Sequence, residues 1–229
     1  MTDYTSYSLD GRIATITMDD GKVNAFSIAM LHSIHSAFDR AVDDQAVVIL
    51  TGREGIFSAG FDLKVFQGER SDVVEMLTLG ATLAERILSF PTPVLVACTG
   101  HCYPAGAFLL LSADARIAAD GPFRIGLNEV SIGLTIPWFA IELARHRLSP
   151  AHFDRTTVTA TMYSPADAVT AGFVDRVVPP GALRVASLER AAELAALDPG
   201  AHVGTKLRTR EPVLQAVRAA IERELTLAP

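Results

Sequence analysis

Two apolar runs in the first half of the chain lead into turns of small residues, and this pattern constrains the fold most. Residues 47–52 (VVILTG) are short, apolar and β-branched, which predicts a buried strand, and residues 55–64 follow as a turn. Residues 94–99 predict a second strand, which enters a small-residue turn and then an apolar helix that ends before Asp114. Strands that alternate with helices in this way, without repeats or low-complexity segments, indicate an α/β chain.

Both turns offer backbone amides to another molecule. The small side chains at residues 58–60 let a ligand approach the backbone closely. In the second turn Pro104 suits a first helical position, where its missing N–H is no loss. The amides of Ala105 and Gly106 would then be unpaired donors at a helix N-terminus, where an oxyanion can be held. A tight turn after a strand and an ordinary buried helix explain the same two patterns without any ligand.

Residues 125–139 contain one acid, Glu129, among mostly apolar neighbours. A carboxylate in such surroundings costs free energy unless it is paired or its pKa is raised. A raised pKa suits a group that must take up and return a proton near neutral pH. The alternative is an acid at a turn whose carboxylate reaches solvent.

Taken together, these segments resemble the crotonase superfamily, the enoyl-CoA hydratase and isomerase family. Residues 13–18 (IATITM), 22–27 (KVNAFS) and 164–178 (SPADAVTAGFVDRVV) extend the resemblance over nearly the whole chain, in the family's order. It implies an α/β fold, a crotonase-like spiral of ββα units with a helical C-terminal part. Residues 1–180 would form the acyl-CoA-binding catalytic core, and residues 181–229 a short helical oligomerisation region.

The resemblance implies that the protein binds acyl-CoA thioesters and holds the thioester oxygen with two backbone amides. By alignment these belong to Phe61, the residue after the glycine of F-S-A-G-x-D, and to Ala105. The common G-G-G of the family reads Pro104-Ala105-Gly106 here, and a proline at the first position cannot donate. The implied substrate-binding residues lie in the same segments: Lys22, Val23, Asn24, Phe26, Ala59, Gly60, Asp62, Leu63, Lys64, Gly106, Phe108 and Trp138.

The acids distinguish activities within the family. Hydratases use two glutamates, whose positions are filled here by Phe108 and Glu129, and Phe108 has no proton chemistry. Residues 133–139 (GLTIPWF) are similar to mitochondrial-type enoyl-CoA isomerases, which use a single glutamate. We therefore expect double-bond migration from 3-enoyl-CoA to 2-enoyl-CoA in fatty acid oxidation, with Glu129 moving the proton and Phe108 and Trp138 lining a dry pocket. A hydratase with another acid near Phe108, and a non-catalytic acyl-CoA binder, remain alternatives.

Composition agrees with an acyl-CoA substrate. The formal charge is −6, from 20 Lys and Arg against 26 Asp and Glu, and no basic run favours nucleic acid. Two of the three lysines, Lys22 and Lys64, adjoin the segments expected to meet the anionic coenzyme, although solvated surface lysines are the simpler explanation. We expect no cofactor, since coenzyme A is part of the substrate, and no metal, because the histidines lack ligand spacing.

Cysteine use and hydropathy predict the compartment. Cys98 and Cys102 are spaced as buried thiols rather than as a disulfide, which indicates a reducing environment. The N-terminus does not read as a signal peptide, and the apolar run 105–111 is too short to cross a bilayer. We therefore expect a cytoplasmic protein without membrane contact. The family resemblance implies a homotrimer or a dimer of trimers.

Periodicity places the elements. Strands are predicted at residues 12–18, 46–51, 94–99, 115–118 and 173–178. A helix is predicted over residues 27–42, with Ser27 as its N-cap, and another begins at Ser164. From Leu183 onward the pattern is helical, with an interruption at residues 198–200.

Overall fold

The structure is a computed structural model of the 229-residue chain, and it describes residues 4–227. Residues 1–3 of the predicted core and 228–229 of the predicted C-terminal region lie outside the described residues. The strands are β1 (Thr5–Asp10), β2 (Ile13–Met18), β3 (Val47–Thr51), β4 (Gly55–Ser58), β5 (Val94–Cys98), β6 (Gly100–Cys102), β7 (Ala115–Ala119) and β8 (Arg176–Val178).

The helices follow the strands in an order that repeats strand–strand–helix three times before the C-terminal half. They are α1 (Ile28–Asp43), α2 (Arg70–Ser89), α3 (Ala105–Ser112), α4 (Trp138–Arg147), α5 (Pro150–Thr157), α6 (Pro165–Ala171), α7 (Leu183–Ala195) and α8 (Pro199–Leu227). Short 3₁₀ segments lie at Val65–Gln67, Val130–Ile132 and Pro180–Ala182. The predicted α/β architecture of ββα units is confirmed.

A main sheet and a small second sheet carry the site. The main sheet has the order β1-β2-β3-β5-β7-β8, in which only the β1–β2 pair is antiparallel. The second sheet consists of β4 and β6 in parallel. Because β3 and β5 lie in the middle of the main sheet, their side chains are buried on both faces, as their continuous apolar runs predict.

Most of the predicted elements are present within a residue or two. The last strand is the exception, because it begins at Arg176 rather than at residue 173. The amides of Phe173 and Val174 instead donate to the carbonyl of Ala168, and Gly172, with φ +102°, ends helix α6. These residues therefore close the helix before the strand starts.

Side-chain caps begin two helices where the sequence predicts them. Ser27 accepts a hydrogen bond from the amide of Met30, and Ser164 accepts one from Asp167. Pro104 is the residue before α3 rather than its first residue, so α3 begins at Ala105. Strands β1, β4 and β6 were not predicted, because they are short or contain few apolar side chains.

Helices α7 and α8 are separated by a break at residues 196–198, two residues earlier than the predicted interruption at 198–200, because Pro199 and Gly200 form the first turn of α8. Helix α7 packs on the outer face of the main sheet, where Leu183 and Leu194 join Val47 and Leu95 in one buried cluster. Helix α8 packs against α2 and α4 and continues through Pro212. Among residues 4–227, no helix is long and apolar enough to cross a membrane.

A buried ion cluster attaches α8 to the core. One carboxylate oxygen of Asp114 lies 2.7 Å from Lys206 Nζ, and the other lies 2.9 Å from an Arg210 nitrogen. Asp114 also accepts a hydrogen bond from the amide of Val94, at 2.7 Å. Burial lowers the pKa of Lys206 to about 8, although Asp114 opposes that shift. The cluster thus joins the C-terminal helix to the start of β5 through charges that are nearly removed from water.

Replacement of Asp114 by Asn should destabilise the protein strongly. Arg210 would keep its charge in a buried site without the carboxylate, and Lys206, whose pKa is about 8 even beside Asp114, would be driven toward its neutral form. Loss of one partner of a buried ion pair typically costs about 3–5 kcal/mol of unfolding free energy. Urea denaturation measures this loss. The matched control is Asp39→Asn, which removes a largely exposed partner of Arg86 and should change stability by less than about 1 kcal/mol. Equal losses of unfolding free energy in the two variants would contradict the structural role of the buried ion cluster.

Candidate active site

A cavity of about 350 Å³ lies where the two small-residue turns, the Glu129 segment and the end of α8 meet. Its walls are mostly apolar, with a few polar groups, as in small-molecule sites. The lining residues are Ala59, Phe61, Leu63, Phe66, Leu77, Tyr103, Pro104, Phe108, Asn128, Glu129, Ile132, Leu134, Thr135, Pro137 and Glu224. A larger depression of about 850 Å³ between β1 and α1 contains none of the predicted site residues.

The two turns are held against each other at Gly60. Strands β4 and β6 pair in parallel, and the amide of Tyr103 donates to the carbonyl of Ser58 at 3.0 Å. Gly60 has φ +90°, and a Cβ added there would lie only 2.3 Å from the Pro104 ring. A side chain at this position would therefore force the turns apart. Because Gly60 and Pro104 touch, the next residue of each turn, Phe61 or Ala105, lies immediately beside this contact.

The amides of Phe61 and Ala105 are available to a ligand. Within residues 4–227 neither N–H has a hydrogen-bond acceptor, and no side chain caps the N-terminus of α3. The positive end of the helix dipole adds to the field at Ala105. An added Cβ at Gly106 would lie 2.9 Å from Ser58 Cβ, so a small residue is needed there for α3 to pack on β4. The role of the two amides as an oxyanion site stays a prediction.

A buried hydrogen-bond network supports the first turn, and the sequence did not reveal it. Ser58 donates to the carbonyl of Asn24 at 2.7 Å and accepts from the amide of Gly60 at 3.1 Å. The Asn24 side chain donates to the carbonyls of Met18 and Phe57 at 3.0 and 3.1 Å. Asn24 has φ +50°, a conformation that asparagine tolerates better than most residues. The loop before α1 is therefore part of the support of the site.

Two residues predicted to bind substrate have buried side chains instead. Asn24 is enclosed by its hydrogen bonds, and Phe26 is part of the hydrophobic core. Both belong to a loop that pairs with the first turn: Phe26 donates to the carbonyl of Gly60, and Ala59 donates to that of Val23. Their side chains hold this loop in place and do not reach the cavity, because their neighbours fill the space around them.

The other predicted residues of these loops are more accessible. Lys22, Val23, Leu63 and Lys64 are exposed, and Asp62 is half-buried. Of these, only Leu63 lines the cavity, at its open side. The Asp62 carboxylate accepts a hydrogen bond from the amide of Lys64 at 3.0 Å, which shapes the turn. Lys64 follows Leu63 of the cavity wall, and Lys22 precedes Val23, whose carbonyl accepts a hydrogen bond from the cavity residue Ala59. The contact of the two lysines with coenzyme A stays a prediction.

Glu129 is the buried acid of the cavity. Its side chain is almost fully enclosed, and neither carboxylate oxygen has a hydrogen-bond donor in the described part of the chain. Burial is the main cause that raises the pKa of Glu129 to about 7. The side-chain oxygen of Asn128 is also buried without a partner. Because Asn128 also lines the cavity, it is a polar residue of the site that the sequence did not indicate.

Phe108 and Trp138, predicted to line one pocket, lie in different places. Phe108 is buried in the cavity wall, with its ring centroid 6.4 Å from that of Phe61 and 5.4 Å from that of Phe139. Trp138 lies outside the cavity, with 43% of its surface exposed and its ring 3.7 Å from the Arg223 guanidinium. The reason is the start of α4, where Pro137 turns toward the cavity and the next residue points outward.

Glu224 is a second acid in the cavity, contributed by α8. Its carboxylate accepts a hydrogen bond from the amide of Trp138 at 2.8 Å, where α4 has no side-chain cap of its own. The sequence could not reveal this contact, because the residues are distant in the chain and Glu224 resembles any acid on an exposed helix.

Comparisons with known proteins agree with this geometry. The family model described as "Enoyl-CoA hydratase/isomerase" matches residues 9–228. An enoyl-CoA hydratase/isomerase family protein from Pseudomonas syringae is 46% identical, with a TM-score of 0.97 over 100% of this chain and 99% of that one. An enoyl-CoA isomerase of Mycobacterium tuberculosis is 40% identical, with a TM-score of 0.94 over 99% of each chain.

Relatives named as hydratases match as well. A probable enoyl-CoA hydratase from Bacillus subtilis is 34% identical over 139 residues, which cover 59% of this chain and 53% of that protein. The chain spans between 53% and 68% of the length of the first curated relatives that it matches. Similarity alone therefore does not distinguish an isomerase from a hydratase, and the residues of the site must be used to decide between these activities.

The buried acid should make stability depend on pH. Since the pKa of Glu129 is higher in the folded state (about 7) than in the unfolded state (4.5), folding favours its protonated form. Stability should therefore fall as pH rises from about 4.5 to 7. Glu129→Gln should remove this dependence and, well above pH 7, stabilise the protein by about 3 kcal/mol relative to wild type. Urea denaturation of both proteins from pH 4.5 to 8.5 measures this, and parallel pH profiles would contradict it.

Proposed function

The chain belongs to the enoyl-CoA hydratase/isomerase family, and we propose that it moves the double bond of a 3-enoyl-CoA thioester to give the 2-enoyl-CoA. One observation carries the proposal: Glu129 is a buried carboxyl group with a pKa of about 7 and no hydrogen-bond donor among the described residues. By the family resemblance, Phe108 stands where a hydratase has its second glutamate, so Glu129 would act alone.

The proposed mechanism uses one base and two amides. Glu129 removes a proton from the α-carbon, and the electrons move into a dienolate whose oxygen accepts hydrogen bonds from Phe61 and Ala105. Glu129 then returns the proton to the γ-carbon, and the double bond comes to lie between the α- and β-carbons. A pKa of about 7 lets the same group serve as base and then as acid. By analogy with other enzymes, each amide contributes about 3–4 kcal/mol to transition-state stabilisation.

Exclusion of water is the second requirement of the proposed reaction. Water that reached the β-carbon of the product would hydrate it, so an isomerase benefits from apolar walls around the substrate. Phe61 and Phe108 line the same cavity as the carboxyl group, with ring centroids 6.4 Å apart, and Leu77 and Ile132 extend the apolar lining. Because Phe108 is buried and fixed by ring contacts, it leaves no space for an activated water at that position.

A hydratase is the second candidate, and Glu224 is the observation that favours it. This acid lines the same cavity as Glu129, so the site does contain two carboxyl groups. Its carboxylate is engaged by the amide of Trp138 and lies on a different element from the acid that hydratases use. This engagement argues against Glu224 as the second acid of a hydratase.

We further propose that the protein acts in fatty acid oxidation in the cytoplasm and assembles as a homotrimer. Several large apolar side chains are exposed beside the cavity: Val130, Ile132, Leu134, Trp138 and Val158. Groups of this kind are commonly covered by another protein chain. Sedimentation of the purified protein tests the assembly.

Glu129→Gln should lower the turnover of 3-enoyl-CoA by roughly 10²–10⁴-fold, because the amide keeps the size of the side chain but cannot transfer the proton. Binding of a saturated acyl-CoA should change little, which calorimetry measures beside the turnover assay. The matched control is Glu189→Gln, an exposed acid on α7 that should leave both quantities unchanged. Near-native turnover by the Glu129 variant would show that another group is the base.

The wild-type protein should hydrate 2-enoyl-CoA at least about 100-fold more slowly than it isomerises 3-enoyl-CoA, because Phe108 supplies no second proton-transfer group. Spectrophotometric assays of both reactions on thioesters of equal length measure the ratio. Comparable rates would contradict the single-base mechanism. If Glu224→Gln then abolished hydration, Glu224 would be the second acid and the protein a hydratase.

A further inference from the structure

Glu224 places a charge in the wall of a cavity that is otherwise mostly apolar. The groups expected to act on the thioester are Glu129 and the amides of Phe61 and Ala105. Glu224 makes no hydrogen bond to any of them, and its carboxylate is held by the amide of Trp138 at the N-terminus of α4. Large apolar side chains make up much of the remaining wall: Leu63, Phe66, Leu77, Phe108, Ile132 and Leu134.

One hydrogen bond holds this carboxylate, and a second contact holds the same turn of α8 against α4. The amide of Trp138 donates to Glu224 at 2.8 Å, and the dipole of α4 favours a negative charge there. The guanidinium of the neighbouring Arg223 lies 3.7 Å from the centre of the Trp138 ring. Both contacts attach the same turn of α8 to the same residue of α4. The charge therefore belongs to the cavity wall and does not swing freely in solvent.

We propose that Glu224 is a specificity residue that restricts the cavity to short acyl chains. This inference rests on the proposed function, because it assumes that the cavity holds the acyl chain of a thioester. An apolar tail that reached Glu224 would have to displace water from a carboxylate, whose desolvation costs more than a few methylenes gain. A shorter tail would contact only the apolar wall, where each added methylene raises affinity about fourfold.

The size of the cavity is consistent with this restriction. Its volume of about 350 Å³ is near the lower end of the range of roughly 300–1,000 Å³ for small-molecule sites. Removal of the charge, with no change in the turns or in Glu129, should therefore extend the range of chain lengths and leave the reacting end of the site intact.

The test measures binding of saturated acyl-CoA thioesters, from butanoyl to dodecanoyl, by calorimetry. Wild-type affinity should rise with chain length for the shorter thioesters and then level off or fall. The chain length at which the rise stops is called the break. Glu224→Leu should make affinity continue to rise, by about fourfold per methylene, beyond the length at which the wild type levels off. Glu224→Gln, which can still accept from Trp138, should shift the break toward longer chains by a smaller amount. The matched control, Glu211→Leu at an exposed position of α8, should keep the wild-type profile.

The alternatives give different profiles. If Glu224 only held α8 in place, its replacement would weaken binding equally at all lengths, which would overturn the inference. An unbroken rise in the wild type, or variants that share the wild-type break, would also overturn it. If Glu224→Leu does not fold, the Gln variant decides between these outcomes. Saturated thioesters do not react, so this result is independent of turnover; failure of every thioester to bind would overturn the proposed function together with this inference.

Discussion

The contact between Gly60 and the Pro104 ring is the constraint on which the rest of the site depends. It brings two loops from different ββα units together, and β4 and β6 hold them in register. The free amides of Phe61 and Ala105 follow directly from the two contacting residues. One of these N–H groups lies in the first turn and the other at the start of the short helix α3, and two such donors can bind an oxyanion without any charged side chain. The placement of both amides depends on backbone geometry that only small residues permit at Gly60 and Gly106.

Burial of Glu129 is the second main feature of the site. It raises the pKa of the carboxyl group and, for that reason, lowers the stability of the folded state at neutral pH. The surrounding apolar side chains leave both oxygens without donors, and the resulting pKa of about 7 keeps the group near half-protonation at neutral pH. The buried cluster of Asp114, Lys206 and Arg210 is different, since each of these charges has a partner. The same chain thus contains one paired buried carboxylate that attaches a helix and one unpaired carboxyl group that faces a cavity.

The sequence predicted the parts of this arrangement that depend on neighbours in the chain. The apolar residues around Glu129 indicated its burial, and Ser27 and Ser164 marked the helix starts that the structure contains. Sequence patterns did not predict contacts between segments that lie far apart in the chain. Glu224 resembles any acid on an exposed helix until α8 is packed against α4, and the outward direction of Trp138 follows from the geometry of Pro137. Local patterns locate elements, whereas the completed cavity depends on packing that a single sequence does not record.

Helix α8 connects two sites that have no contact with each other. Arg210, in the ion cluster, and Glu224, in the cavity wall, are separated by fourteen positions of one helix, which is about 21 Å. Because α8 packs against α2 and α4 and is attached to Trp138 near Glu224, a change at the ion cluster would reach the cavity only by moving the helix as a unit. A tilt of about 5° over this length is a displacement of about 2 Å, so substitutions near Asp114 would change the shape of the cavity without replacing any residue that lines it.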